Sequence, residues 1–231
     1  MSIISRFKGY DLDKALRLRR KWFSQICWAL GLKIEKFGQV PKNGGLLVSN
    51  HRSYFDPILI MSEILALPVG KTEVQNWPII GWGAKISGTV FVDRKSFQGR
   101  KKARKSINEM LQKGYSIVNF PEGTTHTQAQ TLAFKPGMFK DAAKASYYIY
   151  PIALDYQKTS DAWVGDDTFL RHFFECFGKK YTYVRIFYGK AIQADDADKL
   201  LIKSKRFIDE HLSKIRNNWH EENLKTNDAT S

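Results

Sequence analysis

Leu46-Leu47-Val48-Ser49-Asn50-His51-Arg52-Ser53-Tyr54-Phe55-Asp56-Pro57-Ile58-Leu59-Ile60-Met61 reads as strand, tight polar loop and helix. The apolar run 46–48 ends in a polar octapeptide, and a second apolar run follows it. Asp56-Pro57 is a helix start, because Asp accepts from the orphan N–H groups of a first turn and Pro there loses no bond. His51 stands five residues before Asp56. That spacing puts the two on different faces of any single regular helix. With His51 in the loop and Asp56 at the helix start, the loop can fold the imidazole back onto the carboxylate. Asp56 would then fix the tautomer and support a positive charge on His51 during proton transfer. Taken alone, the octapeptide reads equally as a capping Asp beside a surface histidine, and the rest of the chain has to decide.

Outward from this stretch, apolar runs and helical patterns alternate. Asp11 to Leu30 has Leu12, Leu16, Phe23, Ile26 and Leu30 at helical steps, interrupted by Arg19. Lys14, Arg17, Arg20 and Lys21 flank it, with Trp22 and Trp28 as interface candidates. Such a helix either lies in a bilayer surface or packs on the protein's own core. Leu32 to Phe37 and Pro68 to Lys71 are short strand candidates. Trp77 to Ala84 is apolar but too rich in Gly and Pro for a long helix. It suits core, or an acyl pocket. Thr89 to Val92 is a strand, Lys95 to Lys113 a basic helix closed by Gly114, and Ser116 to Phe120 another strand. A polar loop at 126–131 precedes a helix opened by Phe134-Lys135-Pro136-Gly137 and running to about Ala145. Strands at Tyr148 to Leu154 and Tyr181 to Tyr188, and helices at Asp166 to Phe177 and Asp195 to Trp219, complete the pattern. The expected fold is α/β, a largely parallel central sheet flanked by helices. The expected division is an N-terminal amphipathic membrane-surface helix (1–31), a main domain (32–219) and a polar, frayed tail (220–231).

The totals narrow the class. Lys and Arg number 37 against 23 Asp and Glu, and residues 1–115 alone hold 21 basic and 8 acidic side chains. A positive field over the first half suits nucleic acid, an anionic bilayer or a phosphate-bearing substrate. No helix-turn-helix, zinc-finger or single-strand-binding signature supports nucleic acid. Cys27 and Cys176 have neither disulfide nor metal spacing, which fits a reducing compartment. No run approaches the roughly 18 to 20 apolar residues of a spanning helix. Neither cysteine sits among the motifs, and Ser53 lacks a nucleophile elbow, so no covalent nucleophile is indicated.

Three strands end in polar signatures: Asn50-His51, Asp93-Arg94, and Pro121-Glu122-Gly123-Thr124. In parallel α/β folds ligands gather beyond the carboxyl ends of strands. That shared position argues for one site, with His51 as base, Arg94 as anion clamp and Glu122 as orienter. Gly123 would let backbone N–H groups approach a ligand oxygen.

These residues resemble the glycerolipid acyltransferase superfamily, which includes the bacterial 1-acyl-glycerol-3-phosphate acyltransferases. Its first block, His, four residues, Asp, is His51 to Asp56, preceded by Asn50. Gly88-Thr89-Val90-Phe91-Val92-Asp93-Arg94 is similar to the second, Phe120-Pro121-Glu122-Gly123-Thr124 to the third, and the Pro-bearing strand Tyr150 to Leu154 to the fourth. The resemblance covers roughly residues 45–156, with the blocks in the family's order.

The resemblance implies acyl transfer from acyl-CoA or acyl-carrier protein to the free hydroxyl of a lysophospholipid, most simply 1-acyl-glycerol-3-phosphate. His51 would be the general base, Asp56 its orienter and Arg94 the phosphate ligand. Glu122, Gly123 and Thr124 would position acceptor or thioester. A thioester is already activated, so no metal or other cofactor is demanded. One position departs from the family: many members carry Arg after Glu-Gly-Thr, where this chain has Thr125. Lys135 or the basic cluster 100–105 would supply the missing charge, or the acceptor's head group differs. Glu-Gly-Thr-Thr together with Trp163 to Thr168 resembles a branch acting on lyso-ornithine lipids. The setting implied is peripheral, on the cytoplasmic face of a membrane whose anionic surface holds the N-terminal helix. A nucleic-acid-binding module or a non-catalytic lipid-binding protein are the rival classes, and the intact His51–Asp56 pair disfavours the latter.

Overall fold

The computed structural model describes residues 11–76, 81, 84, 88–93, 95–164 and 178–228, with side chains as far as Trp219. The order is α1 (Leu12–Ala29), β1 (Leu32–Phe37), β2 (Leu46–Ser49), α2 (Asp56–Glu63), β3 (Ala66–Lys71), β4 (Val90–Val92), α3 (Phe97–Gln112), β5 (Ser116–Asn119), α4 (Gly137–Ala145), β6 (Ile149–Tyr156), β7 (Thr182–Tyr188) and α5 (Ala197–Asp228). Short 3-10 turns occupy Thr72–Asn76 and Thr159–Asp161. The expected Asp166 to Phe177 helix, Arg94 and most of Trp77 to Ala84 lie outside the described residues.

The strands form one sheet in the order β1-β7-β6-β2-β5-β3-β4. Neighbours are parallel except β6 and β7, which run antiparallel with Ile152 opposite Tyr188 and Tyr156 opposite Val184. Among the described strands, β6, β2, β5, β3 and β4 therefore deliver their carboxyl ends to one edge. β1 and β7 bring their amino ends to that same edge.

Central β2 and β6 are buried along their whole length, as strands covered on both faces require. Successive residues serve opposite faces. Leu47, Ile152 and Leu154 join Cys27 of α1 and Leu59, Ile60 and Met61 of α2. Leu46, Val48 and Ala153 join Ile107 of α3, Phe139 of α4 and Leu200, Ile208 and Leu212 of α5. Pro151 stands in this central strand without a ladder penalty. Its carbonyl accepts from Gly189 N at 2.8 Å, so its missing N–H faces the same side, just past the last β6–β7 pair.

Three expectations change in detail. Arg19, expected as an interruption of the apolar stripe of α1, lies on it: it is buried, and its guanidinium bonds the carbonyl of Ala66. Ile26, expected on that stripe, is exposed instead. The last helix does not stop at Trp219 but runs to Asp228, through most of the segment expected as a frayed tail.

Candidate active site

The loop between β2 and α2 closes around Asp56. The helix begins one residue earlier than expected of a capping Asp: Phe55 is the N-cap, and Asp56 and Pro57 form the first turn. The carboxylate consequently does not cap its own helix but faces back into the loop. Its Oδ2 accepts from Arg52 N at 2.6 Å, Ser53 N at 2.8 Å and His51 Nδ1 at 2.8 Å. Its Oδ1 accepts from the Tyr156 hydroxyl at 2.9 Å. Asp56 is fully buried, and an unpaired charge there would cost several kcal/mol, roughly the penalty these four donors remove. Because Nδ1 donates to Asp56, a neutral His51 holds its lone pair on Nε2.

The imidazole is clamped on its other sides. It stacks on Phe120 at 4.1 Å between centroids, with Tyr54 edge-on at 6.3 Å. Tyr54 in turn meets Trp163 edge-on at 4.0 Å. His51's side chain retains 14% exposure, enough to reach a substrate at the surface while its partner Asp56 has none. Asn50, just before it, extends the β2–β6 ladder with its side chain, donating to Leu154 O at 2.8 Å and accepting from Leu154 N at 3.0 Å.

Glu122, expected as the orienter, holds the loop that carries His51. Its carboxylate is buried and faces the protein. Oε1 accepts from the His51 backbone N–H at 3.0 Å, and Oε2 accepts from Leu132 N at 2.8 Å and from His126 Nε2. Glu122 therefore holds the His51 loop and is not turned toward a ligand. Gly123 follows it in a tight turn. Its φ of +78° is the left-handed conformation glycine favours, and its N–H donates to Phe120 O at 3.1 Å, closing the turn. Thr124 is exposed beside it. Lys135, also exposed, is brought to the same loop by its backbone N–H on Pro121 O at 3.0 Å. In the basic cluster, Arg104 is committed to Asp141 of α4, with its Nε at 2.7 Å.

Sequence reasoning missed the layer beneath. Arg52, fully buried, donates to His126 O at 2.9 Å and lies 3.3 Å from Asp155 through Nε. Its burial lowers the guanidinium's affinity for its proton, and Asp155 pulls the other way. Asp155 also accepts from Arg216 of α5 at 2.8 Å, and Arg216 donates to Thr127 O at 3.3 Å. His126 Nδ1 sits 3.2 Å from Arg52 and accepts from Gln128 N at 3.2 Å, so the neutral ring carries its proton on Nε2, toward Glu122. Its backbone N–H bonds His51 O at 3.2 Å. The loop 126–131, expected only as polar, is thus pinned at both ends, Thr131 being held by Asp209 at 2.7 Å and Lys205 at 2.7 Å. The one available signal was His126 four residues after Glu122.

Comparison with known proteins identifies the family and the fold. Residues 32–155 match the family described as Acyltransferase. A lyso-ornithine lipid O-acyltransferase of Pseudomonas aeruginosa is 32% identical over 178 residues, 74% of this chain and 69% of that protein. A 1-acyl-sn-glycerol-3-phosphate acyltransferase of Neisseria meningitidis is 29% identical over 127 residues, 55% of this chain and 50% of that protein. The fold resembles the solved 1-acyl-sn-glycerophosphate acyltransferase of Thermotoga maritima, with a TM-score of 0.61 at 18% identity, over 94% of this chain and 84% of that one.

Proposed function

The chain belongs to the acyltransferase family, and from that we propose that it acylates the free hydroxyl of a lysolipid, drawing the acyl group from acyl-CoA or acyl-carrier protein. The observation that carries the reading is the His51–Asp56 pair, 2.8 Å apart, at the carboxyl edge of the sheet. His51 Nε2 takes the proton of the acceptor hydroxyl as its oxygen attacks the thioester carbonyl carbon. The new C–O bond forms, the C–S bond breaks, and the proton returns to the leaving thiolate. Asp56 keeps Nδ1–H pointed inward and stabilises the transient imidazolium. Glu122 and His126 position the loop, while Arg94, Thr124 and Lys135 are the residues we assign to the acceptor's head group. Acceptor and long-chain donor are lipidic, so the protein works at a membrane surface, and these donors put it on the cytoplasmic face. No helix among the described residues is long and apolar enough to cross a membrane.

The acceptor has two candidates. Phosphate-bearing 1-acyl-glycerol-3-phosphate suits Arg94 and the basic first half. Lyso-ornithine lipid is favoured by Thr125 standing where the family resemblance implies Arg, and by the longer match to the Pseudomonas protein. An acceptor panel with purified protein decides: lyso-ornithine lipid, lysophosphatidic acid and other lysophospholipids, each with acyl-CoA and with acyl-carrier protein, read as new ester by mass spectrometry. We expect lyso-ornithine lipid to give the highest kcat/KM. Preference for lysophosphatidic acid would reverse the acceptor assignment, and no transfer to any lysolipid would overturn the function.

A further inference from the structure

The antiparallel strand pair puts a second surface at the catalytic edge. Tyr156, which donates to Asp56, pairs with Val184, and Gln157 N bonds Tyr183 O at 3.0 Å, so the amino end of β7 lies beside the site. Leu32 pairs with Thr182, which brings the amino end of β1 and the last turn of α1 to the same place. Here Trp28 is 83% exposed, Tyr183 43% and Tyr181 40%, a concentration of large aromatic surface unusual for a region facing only water. Lys33 Nζ lies 4.5 Å and Lys180 Nζ 5.4 Å from the centroid of the Tyr181 ring. Trp28, Leu30, Gly31, Lys33, Lys180 and Tyr181 line an open groove. The acidic groups nearby in these elements are already engaged, Glu35 by Arg185 and Asp161 by Lys179.

We propose that this aromatic and basic surface is where the protein meets an anionic phospholipid bilayer. Indole and phenol rings settle at the headgroup level, with apolar bodies inward and polar tips in water. Lysines over and beside them add attraction to anionic lipid. The charge complementarity and the position select this occupant: the surface shares an edge with His51, so an acceptor reaches the imidazole without crossing the fold. It rests on the reading of the site as one for lipids.

The test is vesicle flotation of the full chain, using phosphatidylcholine with and without phosphatidylglycerol. Trp28→Ala with Tyr181→Ala should weaken binding about tenfold, and Lys33→Ala with Lys180→Ala should remove the preference for phosphatidylglycerol. Tyr148→Ala with Ile202→Ala, 46% and 61% exposed and absent from this groove, should bind as the unaltered protein does. Unchanged binding by the first double variant, or dimerisation through this surface without vesicle binding, overturns the proposal. Acyl transfer to a short-chain lysolipid dissolved as monomers is measured in parallel. We expect it to persist in every variant. Its absence from the unaltered protein would sink the functional reading, while flotation still reports on the surface.

Discussion

At the residue scale, the His51–Asp56 pair works because Asp56 has no other freedom. Three donors on Oδ2 and one on Oδ1 occupy both oxygens of a fully buried carboxylate. Asp56→Asn replaces one acceptor with an NH2 group that must face a donor. Unfolding by urea should show a loss of about 1–3 kcal/mol, the usual cost of a buried group left unpaired, together with lower kcat. His126 acts at one remove, so His126→Ala should lower kcat with little change in acceptor KM. A change confined to KM would instead place His126 among the acceptor contacts. The pairing of His51 with Asp56 was legible in the sequence once the strand-to-helix transition was set beside the polar ends of the neighbouring strands. The partners of Glu122 and Gly123 within the loop were not. Their roles depend on Leu132, His126 and Phe120, whose approach is set by the path of the loop and not by local pattern.

At the element scale, strands and helices were readable because apolar runs end in Gly, Pro or capping residues; α3, for example, starts at Ser96, which caps Gly99 N at 3.1 Å. Direction was not readable: nothing in Tyr181 to Tyr188 says that β7 runs against β6, because both face the same cores. Nor did the pattern reveal that Arg19 belongs to the buried stripe of α1, since an Arg reads as an interruption until the Ala66 carbonyl is there to receive it. The turn after β1 supplies a clean test. Gly38 has φ +80°, and a Cβ there would lie 2.2 Å from the Tyr188 carbonyl oxygen. Gly38→Ala should therefore destabilise by more than the roughly 1–2 kcal/mol of a left-handed alanine alone. Thermal unfolding measures this, and activity per folded molecule should be unchanged.

At the scale of the whole molecule, α2 and the end of α1 on one face and α3, α4 and α5 on the other, joined by Leu16 of α1, hold a sheet whose edge gathers the site, and α5 braces that edge through Arg216 and Lys205. The core also sets an alkaline limit. Burial pushes the Cys27 thiol up from 9.0 to about 11, and burial raises the Tyr188 phenol as well. Folding binds the Cys27 proton more tightly, so this contribution is fully present below pH 9.0 and is lost as pH rises through about 11. The urea midpoint should fall across that window, and Cys27→Ala should flatten the fall. The central claim, that His51 removes the acceptor's proton, is tested most directly by following thiol release from acyl-CoA with and without lysolipid in the unaltered and His51→Ala proteins. The account predicts release that requires the acceptor and drops by about 10²–10⁴-fold in a folded His51→Ala protein. Acceptor-dependent release at an undiminished rate in that variant would contradict it.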